Sequence, residues 1–217
     1  AQLAYDSGII NLRAEVEVRK DGDKIKTSAG RIIFNEMLPY ELRDYNRVVD
    51  KTTAKQLVAS CQKLMNNEDL AVVLDAMKNL GFHYATLSGT TIGMSDIKVP
   101  DDKGELIKAA EEKTTIAKEQ YNQGIITEDE SYNSVVGTWM NTTDLITDSI
   151  SKSLDRYGSI YMMSTSGAKG NITQIRQMSG MRGLMTNPSG KIIDFPIKSS
   201  LREGLSVLEY FISTHGA

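Results

Sequence analysis

The residues best suited to chemistry lie in a glycine-rich loop at residues 167–171, which precedes a predicted helix. Glycines let backbone N–H groups come close to an anion, and the amino terminus of a helix favours negative charge. Lys169, between the two glycines of the loop, is placed to neutralise a phosphate. The pattern is short and equally typical of a surface turn, so a phosphate-binding loop and a plain glycine turn both stay open.

Two arginines follow this loop in a basic part of the chain. Residues 157–217 carry six basic and three acidic side chains, a net charge of +3. Arg176 and Arg182 are six residues apart, which places them about 120° apart around a helix. One helix face therefore does not present both, and the segment is predicted to face a polyanion without specifying a reaction.

Other candidate sites have simpler structural explanations. The Asp-Gly-Asp sequence at residues 21–23 is a strong hairpin signal, and so short a turn supplies too few oxygen ligands for a divalent cation. His83 lies between two aromatic residues and is predicted to be a packing residue. Cys61 lies on an apolar helix face and is predicted to belong to the core. A single cysteine also excludes an internal disulfide and a cysteine-based zinc site.

Composition is that of a globular protein. The chain has 217 residues, 40% hydrophobic and 24% charged, with a net charge of −3. No apolar run approaches the ~20 residues that span a bilayer, and nothing resembles a signal peptide, which predicts a soluble cytoplasmic protein. The sequence shows no Ser-His-Asp arrangement, Walker loop or dinucleotide fingerprint. It lacks an initiator Met and stops abruptly, which predicts an excised fragment.

The first hundred residues predict a small mixed region. Hydrophobic and charged residues alternate over 14–19, the Asp-Gly turn follows, and a return strand begins at Lys24. The apolar run at residues 30–35 is predicted to extend this β element. From Lys51 the apolar residues recur every three or four positions, which predicts helices, with Thr52 or Thr53 as a cap and Gly81 as a helix end.

Residues 101–156 are acidic and predict an antiparallel helical hairpin. They carry six basic and twelve acidic side chains. Thr127 and Glu130 form a capping box for the second helix, and Trp139 is predicted to hold the two arms together. The apolar stripes are thin, so arms of roughly 25–35 Å are expected to protrude, stay mostly wet and expose their tip.

The remaining residues predict a loop-rich segment. A helical run from Ile172 to about Met185 is followed by a short strand at 191–195 and a new helix from Leu201 that the chain end truncates. The predicted fold class is therefore α+β, with a mixed globular body, a protruding antiparallel helical hairpin and a loop-rich carboxyl segment ending in a truncated helix.

Several long motifs resemble one family. The stretches are residues 159–170, 174–185 and 202–217, with shorter matches at 30–39, 81–89 and 97–100. They resemble the β′ (largest catalytic) subunit of bacterial multisubunit DNA-directed RNA polymerase over nearly the whole chain. The resemblance implies a pore-like domain at 1–100, a funnel domain at 101–185 and, at 186–217, a linker strand and the amino-terminal part of the bridge helix. Within the funnel it implies rim helices at 101–156 and an F-loop at 164–185.

The resemblance also implies roles for individual residues. Lys169 matches an Arg that contacts the phosphates of the incoming nucleotide, and Lys keeps the charge without the bidentate fork. Gly124 and Asn133 match the rim region that transcription factors touch, although Ser134 replaces a family Lys. The other matched positions of the F-loop are Ser166, Gly167, Ala168, Gly170, Gln174, Arg176 and Arg182, and those of the bridge-helix start are Arg202, Glu203, Tyr210, Thr214 and His215.

The implied function is that of a wall of the polymerase. The chain would line the secondary channel that admits nucleoside triphosphates, dock transcription factors, and support active-site closure and translocation. Its implied partners are the other polymerase subunits, DNA and RNA, and no membrane is implied. The three magnesium-binding aspartates of the family would lie upstream of residue 1, so the fragment alone is predicted to be inactive. Two alternatives are a stand-alone interaction module with an acidic hairpin and a phosphate-binding enzyme using residues 167–171.

Overall fold

The computed structural model describes residues 1–20 and 22–214. Their contacts divide the chain into two units, Ala1–Thr90 and a second that starts at Thr91. None of the helices in these ranges is long and apolar enough to span a bilayer. With one two-stranded antiparallel sheet among many helices, the α+β class predicted from the sequence is confirmed.

The first unit combines a β-hairpin with four α-helices and a short 3-10 helix, Tyr40–Leu42. Their bounds are α1 Gln2–Asp6, β1 Glu15–Lys20, β2 Asp23–Ser28, α2 Ala29–Glu36, α3 Lys51–Leu64 and α4 Asn67–Ser88. The predicted hairpin is present, and its register pairs Val16 with Thr27 and Val18 with Ile25. Its core joins Leu38, Cys61 and Val73, and burial raises the pKa of the Cys61 thiol.

Three local predictions for this unit are wrong. Residues 30–35 are helical, because tertiary contacts override the strand preference of adjacent isoleucines; Gly30 donates its N–H to Leu12 across 2.9 Å. Helix α4 runs through Gly81 and ends at Ser88, followed by the cap residue Gly89, whose φ of +55° suits a residue without a side chain. Helix α3 is capped by Asp50, whose carboxylate accepts from the Thr53 amide at 2.7 Å, and not by a threonine.

The second unit is built on a helical hairpin. Its helices are α5 Lys103–Asn122, α6 Glu128–Ser153, α7 Ser159–Ser166, α8 Ile172–Ser179 and α9 Val207–Thr214. The Thr127–Glu130 capping box starts α6 as predicted. Ser149, near the end of α6, donates to Asp102 at the start of α5 across 2.6 Å, so the two helices are antiparallel.

The hairpin carries the core of this unit on its inner face. Trp139, Ile146 and Ile150 of α6 pack with Ala110 and Ala117 of α5, and side chains of the carboxyl segment complete the cluster: Ile175 and Met181. Trp139 thus joins the two arms, as the sequence predicted. Residues 118–125 at the end of α5 and the tip are exposed.

The buried stripe on α6 is wider than the sequence predicted. Thr142 and Thr143 are buried although they are polar. Their hydroxyls donate to the carbonyl oxygens of Thr138 and Trp139, one turn back, at 2.8 and 2.7 Å. Because each hydroxyl hydrogen is satisfied within the helix, the methyl-bearing side chain is buried at little cost. Helix α6 therefore buries a broad face that includes these threonines, and not only a thin apolar stripe.

The carboxyl segment also differs from its predicted elements. Helix α8 stops at Ser179, well before Met185, and α9 begins at Val207 and not at Leu201. Residues 191–195 form no continuous strand in the described chain; single bridges join Thr186 to Ile192 and Gly183 to Ile197. The glycines and prolines of this stretch favour turns over regular pairing.

Gly180 permits a close approach between α8 and α6. A Cβ at this position would lie 2.7 Å from Cδ1 of Ile150 and 2.8 Å from Cγ2 of Ile146. We expect Gly180→Ala to lower the free energy of unfolding by about 1–3 kcal/mol, since both isoleucines are fully packed. Urea denaturation measures the change.

Gly137 provides a matched control within α6. A Cβ at this position would meet nothing within 4 Å. Gly137→Ala should therefore raise the free energy of unfolding by about 0.5–1 kcal/mol, because alanine is the better helix former. Equal stabilities for the Gly180 variant and the unmodified chain would contradict the close packing described here.

Candidate functional site

The glycine-rich loop is a tight connection between two helices. Gly167 ends α7 with a φ of +73°, and Gly170 has a φ of +79°. The side-chain oxygen of Asn171 caps α8 by accepting from the Gln174 amide at 2.9 Å. Lys169 is exposed between the glycines, and its amide donates to the Met163 carbonyl at 3.4 Å. The loop thus presents a lysine side chain, while Asn171 already uses one amide of the helix terminus.

A cavity of about 390 Å³ lies beside this loop. Apolar side chains form most of its wall, and Lys169, Gly170 and Gln174 contribute from the loop and α8. Other parts of the wall come from Ile92, from residues 96–98 and from Leu201, in the turn that leads to α9. The cavity therefore brings the predicted loop residues next to the turn that precedes the last helix.

The two arginines have different settings from those predicted. Arg176 lies on α8, whereas Arg182 lies beyond its end, so the helical phase between them does not apply. Burial lowers the pKa of the Arg176 guanidinium, and the carboxylate of Asp144 opposes this. The Nε atom of each arginine is buried without a hydrogen-bond partner. Neither side chain lines the cavity.

The turn before α9 is held by Glu203. Its Oε2 atom accepts from the amide and the hydroxyl of Ser200 at 2.8 and 2.6 Å, and from the ammonium of Lys103 in α5. Burial alone would raise the pKa of Glu203, but these bonds outweigh it and lower the pKa. Arg202, also predicted here, is exposed and donates its backbone amide to Met178 at 3.1 Å.

Glu209 fixes the first turn of α9. Its carboxylate accepts from the amides of Lys198, Ser199 and Ser206 at 3.1, 3.1 and 3.0 Å and from the Ser199 hydroxyl at 2.9 Å. Burial raises the pKa of Glu209, but hydrogen bonds from Ser206 and Ser199 outweigh that effect and lower it to about 2. The carboxylate is therefore ionised throughout the neutral range and holds the helix start in place.

Sequence reasoning missed the importance of Glu209 and of Lys103. Each glutamate of this region lies three residues after a serine, Ser200 before Glu203 and Ser206 before Glu209. This spacing is that of a capping box and was visible in the sequence. The pairing of Lys103 with Glu203 spans 100 residues, and no local pattern indicates it.

The remaining predicted residues of the last helix are on its surface or outside the described chain. Tyr210 is exposed, with its ring centroid 6.1 Å from that of Phe211. Thr214 donates its hydroxyl to the Phe211 carbonyl at 2.8 Å. His215 lies outside the described residues, as does Asp21 of the predicted turn.

The tip of the hairpin is an exposed turn. Gly124 has a φ of +72°, which lets the chain reverse after α5, and Ile125 is 65% exposed. Hydrogen bonds from Thr127 lower the pKa of Glu130 at the start of α6. Asn133 is exposed one turn further on. The tip thus combines an acidic helix start with an uncovered apolar side chain.

Two further predictions concern metals and His83. Within residues 1–20 and 22–214, no three His, Cys, Asp or Glu side chains are grouped so that they could hold a metal ion. These residues therefore do not fit a magnesium site. His83 is exposed on α4, and its ring meets that of Tyr84 edge-on at 4.9 Å, so it is a surface residue and not part of the core.

Comparisons with known proteins agree in order along the chain. Residues 1–97 match the family model described as RNA polymerase Rpb1, domain 3, and residues 106–213 match RNA polymerase Rpb1, domain 4. The two matches together leave only short stretches unmatched.

Bacterial relatives are similar over the full length of this chain. A DNA-directed RNA polymerase subunit beta′ from Dehalococcoides mccartyi is 58% identical over 218 residues, which cover 100% of this chain and 17% of the relative. The subunits from Desulforamulus reducens and Moorella thermoacetica are 51% and 48% identical, with 18% and 19% of their lengths covered. The chain thus spans less than a fifth of these relatives, and it belongs to the family of the β′ subunit of bacterial DNA-directed RNA polymerase, as a fragment of such a subunit.

Proposed function

We propose that this chain forms part of the wall of the channel through which nucleotides reach the active site of a DNA-directed RNA polymerase. The observation that carries the proposal is the cavity at which the Lys169 loop meets the turn before α9. In this assignment residues 164–185 are the F-loop, and α9 is the beginning of the bridge helix. The loop presents a cation on the nucleotide route, and the helix start supports active-site closure and translocation of the template.

The tip of the hairpin is the docking site in this proposal. Gly124 and Ile125 are uncovered, and Glu128 and Asp129 begin α6 with negative charge. An exposed turn with apolar and acidic side chains suits a protein partner that inserts into the channel. Asn133 is exposed on α6 close to this turn, so the same partner could contact it.

Uncovered apolar side chains support assembly with other parts of a polymerase. In the first unit Val72, Phe82 and Leu87 of α4 are more than 60% exposed. In the second unit Val207 and Phe211 of α9 are 75% and 60% exposed. Such side chains are typical of surfaces that another chain or segment covers. We assign the covering surfaces to the rest of the β′ subunit and to its partner subunits, with DNA and RNA in the complex.

The chemistry of RNA synthesis belongs to other stretches of the subunit in this proposal. Magnesium supplies stabilisation of the attacking and leaving oxygens during nucleotidyl transfer. The described residues offer no ligand set for it, so we assign this chain positioning and access and no catalytic step.

A segment exchange tests the proposed function. The matching stretch of the β′ subunit of Dehalococcoides mccartyi is replaced by this chain, and the reconstituted polymerase is assayed for RNA extension on a DNA template. We expect RNA synthesis by the exchanged polymerase and none by the chain alone with magnesium and nucleotides. An exchanged polymerase that assembles but makes no RNA, or an isolated chain that extends RNA, would refute the assignment.

Lys169 is expected to affect nucleotide use in that polymerase. Lys169→Ala should raise the KM for nucleoside triphosphates about tenfold, since one charge-assisted contact to a phosphate is lost. Lys169→Arg should lower the KM below that of the unmodified chain, because guanidinium binds phosphate through two parallel bonds. Steady-state extension over a range of nucleotide concentrations measures both.

An exposed lysine outside the loop gives the control for this experiment. Lys152 lies in the last turn of α6 and does not line the cavity. Lys152→Ala should leave the KM unchanged. If both alanine variants shift the KM equally, Lys169 has no specific contact with the nucleotide.

A further inference from the structure

The segment that precedes α9 is attached to α5 of the hairpin by two ion pairs. The Lys103 ammonium on α5 pairs with Glu203, and the Lys198 ammonium pairs with Glu111 on α5 across 2.5 Å. Lys103 and Glu111 are eight residues apart, so the two attachments are about 12 Å apart along α5. Two separated attachments fix both the position and the direction of the segment that carries Glu203 and Lys198.

The first attachment is difficult to release. The side chain of Lys103 is only 7% exposed, whereas that of Glu203 is 40% exposed. A buried ammonium that loses its carboxylate stays desolvated without compensation, which makes separation costly. Glu203 also binds Ser200 through its amide and hydroxyl, so the turn before α9 cannot shift without disturbing the same oxygen.

The second attachment continues into α9 itself. The backbone of Lys198 and Ser199 donates to Glu209, and Glu209 also accepts from the Ser206 amide at the helix start. The Lys198 ammonium lies 5.5 Å from the ring centroid of Trp139, in the core of the hairpin. A continuous set of contacts therefore runs from α5 through Lys198 to the first turn of α9.

We propose that Lys103 and Glu203 are positioning residues, which make the hairpin base and the amino-terminal end of α9 move as one body. The proposal rests on the assignment of α9 as the start of the bridge helix, since only then does its position affect RNA synthesis. In that setting, a protein that binds the hairpin acts on the same rigid body that supports the template.

The first test uses the isolated chain and amide hydrogen exchange. Lys103→Met removes the ammonium and keeps the apolar stem. We expect exchange at the Ser200 amide, which donates to Glu203, to become about tenfold faster, because Glu203 loses its attachment to α5. Lys113→Met, at an exposed lysine of the same helix, should leave exchange at this amide unchanged. Unchanged exchange in Lys103→Met overturns the proposal, whatever the polymerase does.

The second test uses the exchanged polymerase and a double-mutant cycle. Lys103→Met and Glu203→Gln should each lower the maximal rate of nucleotide addition about fivefold and leave the KM unchanged, since neither residue lines the nucleotide cavity. The double variant should be no slower than the slower single variant, because both changes break one contact. The charge-exchanged pair Lys103→Glu with Glu203→Lys should recover part of the rate.

The outcomes separate this proposal from the proposed function. If the polymerase that carries this chain without substitutions makes no RNA, the channel assignment is refuted. Amide hydrogen exchange on the isolated chain then decides whether the hairpin base and the amino-terminal end of α9 are coupled. If that polymerase is active and its Lys103 and Glu203 variants add nucleotides at the same maximal rate, the positioning role alone is refuted. A double variant whose loss equals the product of the single losses also refutes it.

Discussion

Trp139→Ala is expected to lower the free energy of unfolding of the second unit by about 3–5 kcal/mol. The indole is 3% exposed and packs in the cluster that joins α5, α6 and the carboxyl segment. Its removal leaves a cavity that these elements cannot all close, and it also removes the ring beneath the Lys198 ammonium. Urea denaturation followed by circular dichroism measures the loss.

The neighbouring Met140 is the control for this variant. It is 54% exposed, so Met140→Ala should change the free energy of unfolding by less than about 0.5 kcal/mol. Similar losses for both variants would show that the hairpin is not held together at Trp139.

Glu209 is expected to make the stability of the second unit depend on acidity. Its pKa of about 2 lies below the value of 4.5 that it has when the chain is unfolded, so the unfolded chain binds the proton more readily. The contribution of Glu209 to stability, about 3 kcal/mol, is fully present above pH 4.5 and is lost as the pH falls towards 2. Unfolding curves between pH 7 and pH 2 measure it.

Glu209→Gln isolates this contribution from that of other carboxylates. The variant should be less stable than the unmodified chain at pH 6, and the difference between the two should shrink as the pH approaches 2. Glu112→Gln, at an exposed glutamate of α5, should have the same free energy of unfolding as the unmodified chain at every pH measured. A difference that stays constant with pH would mean that the Glu209 carboxylate is not held in its ionised form by these hydrogen bonds.

Elements with strong local signals were predictable from the sequence. The alternation of residues 15–20 with an Asp-Gly turn specifies a hairpin, and Thr127 with Glu130 specifies where α6 begins. The helix end predicted at Gly81 was wrong, because a glycine is tolerated inside a long helix. The β element predicted around Ile32 was wrong, because the strand preference of isoleucine yields to tertiary packing.

The candidate site was predictable only in part. The loop at 167–171 and its lysine stand out by composition, and the resemblance indicates their role. The approach of this loop to Leu201 and the pairing of Lys103 with Glu203 depend on how distant segments pack. Such contacts leave no periodicity in a single sequence. The serines before Glu203 and Glu209 did leave a signal, and it indicated helix starts and not the link to α5.

The threonine hydroxyl groups along α6 allow one face of this helix to be either buried or exposed to water. Thr138, Thr142, Thr143 and Thr147 each donate to a carbonyl oxygen one turn earlier. Because these hydroxyl groups donate to carbonyl oxygens of their own helix, exposing this face to water gains little free energy and burying it costs little. If residues 181–183 lift away from Thr143, no donor of that threonine is stranded. Detachment of the carboxyl segment would therefore be limited by its apolar anchors, such as Met181, and by its ion pairs, and not by the polar part of the helix beneath it.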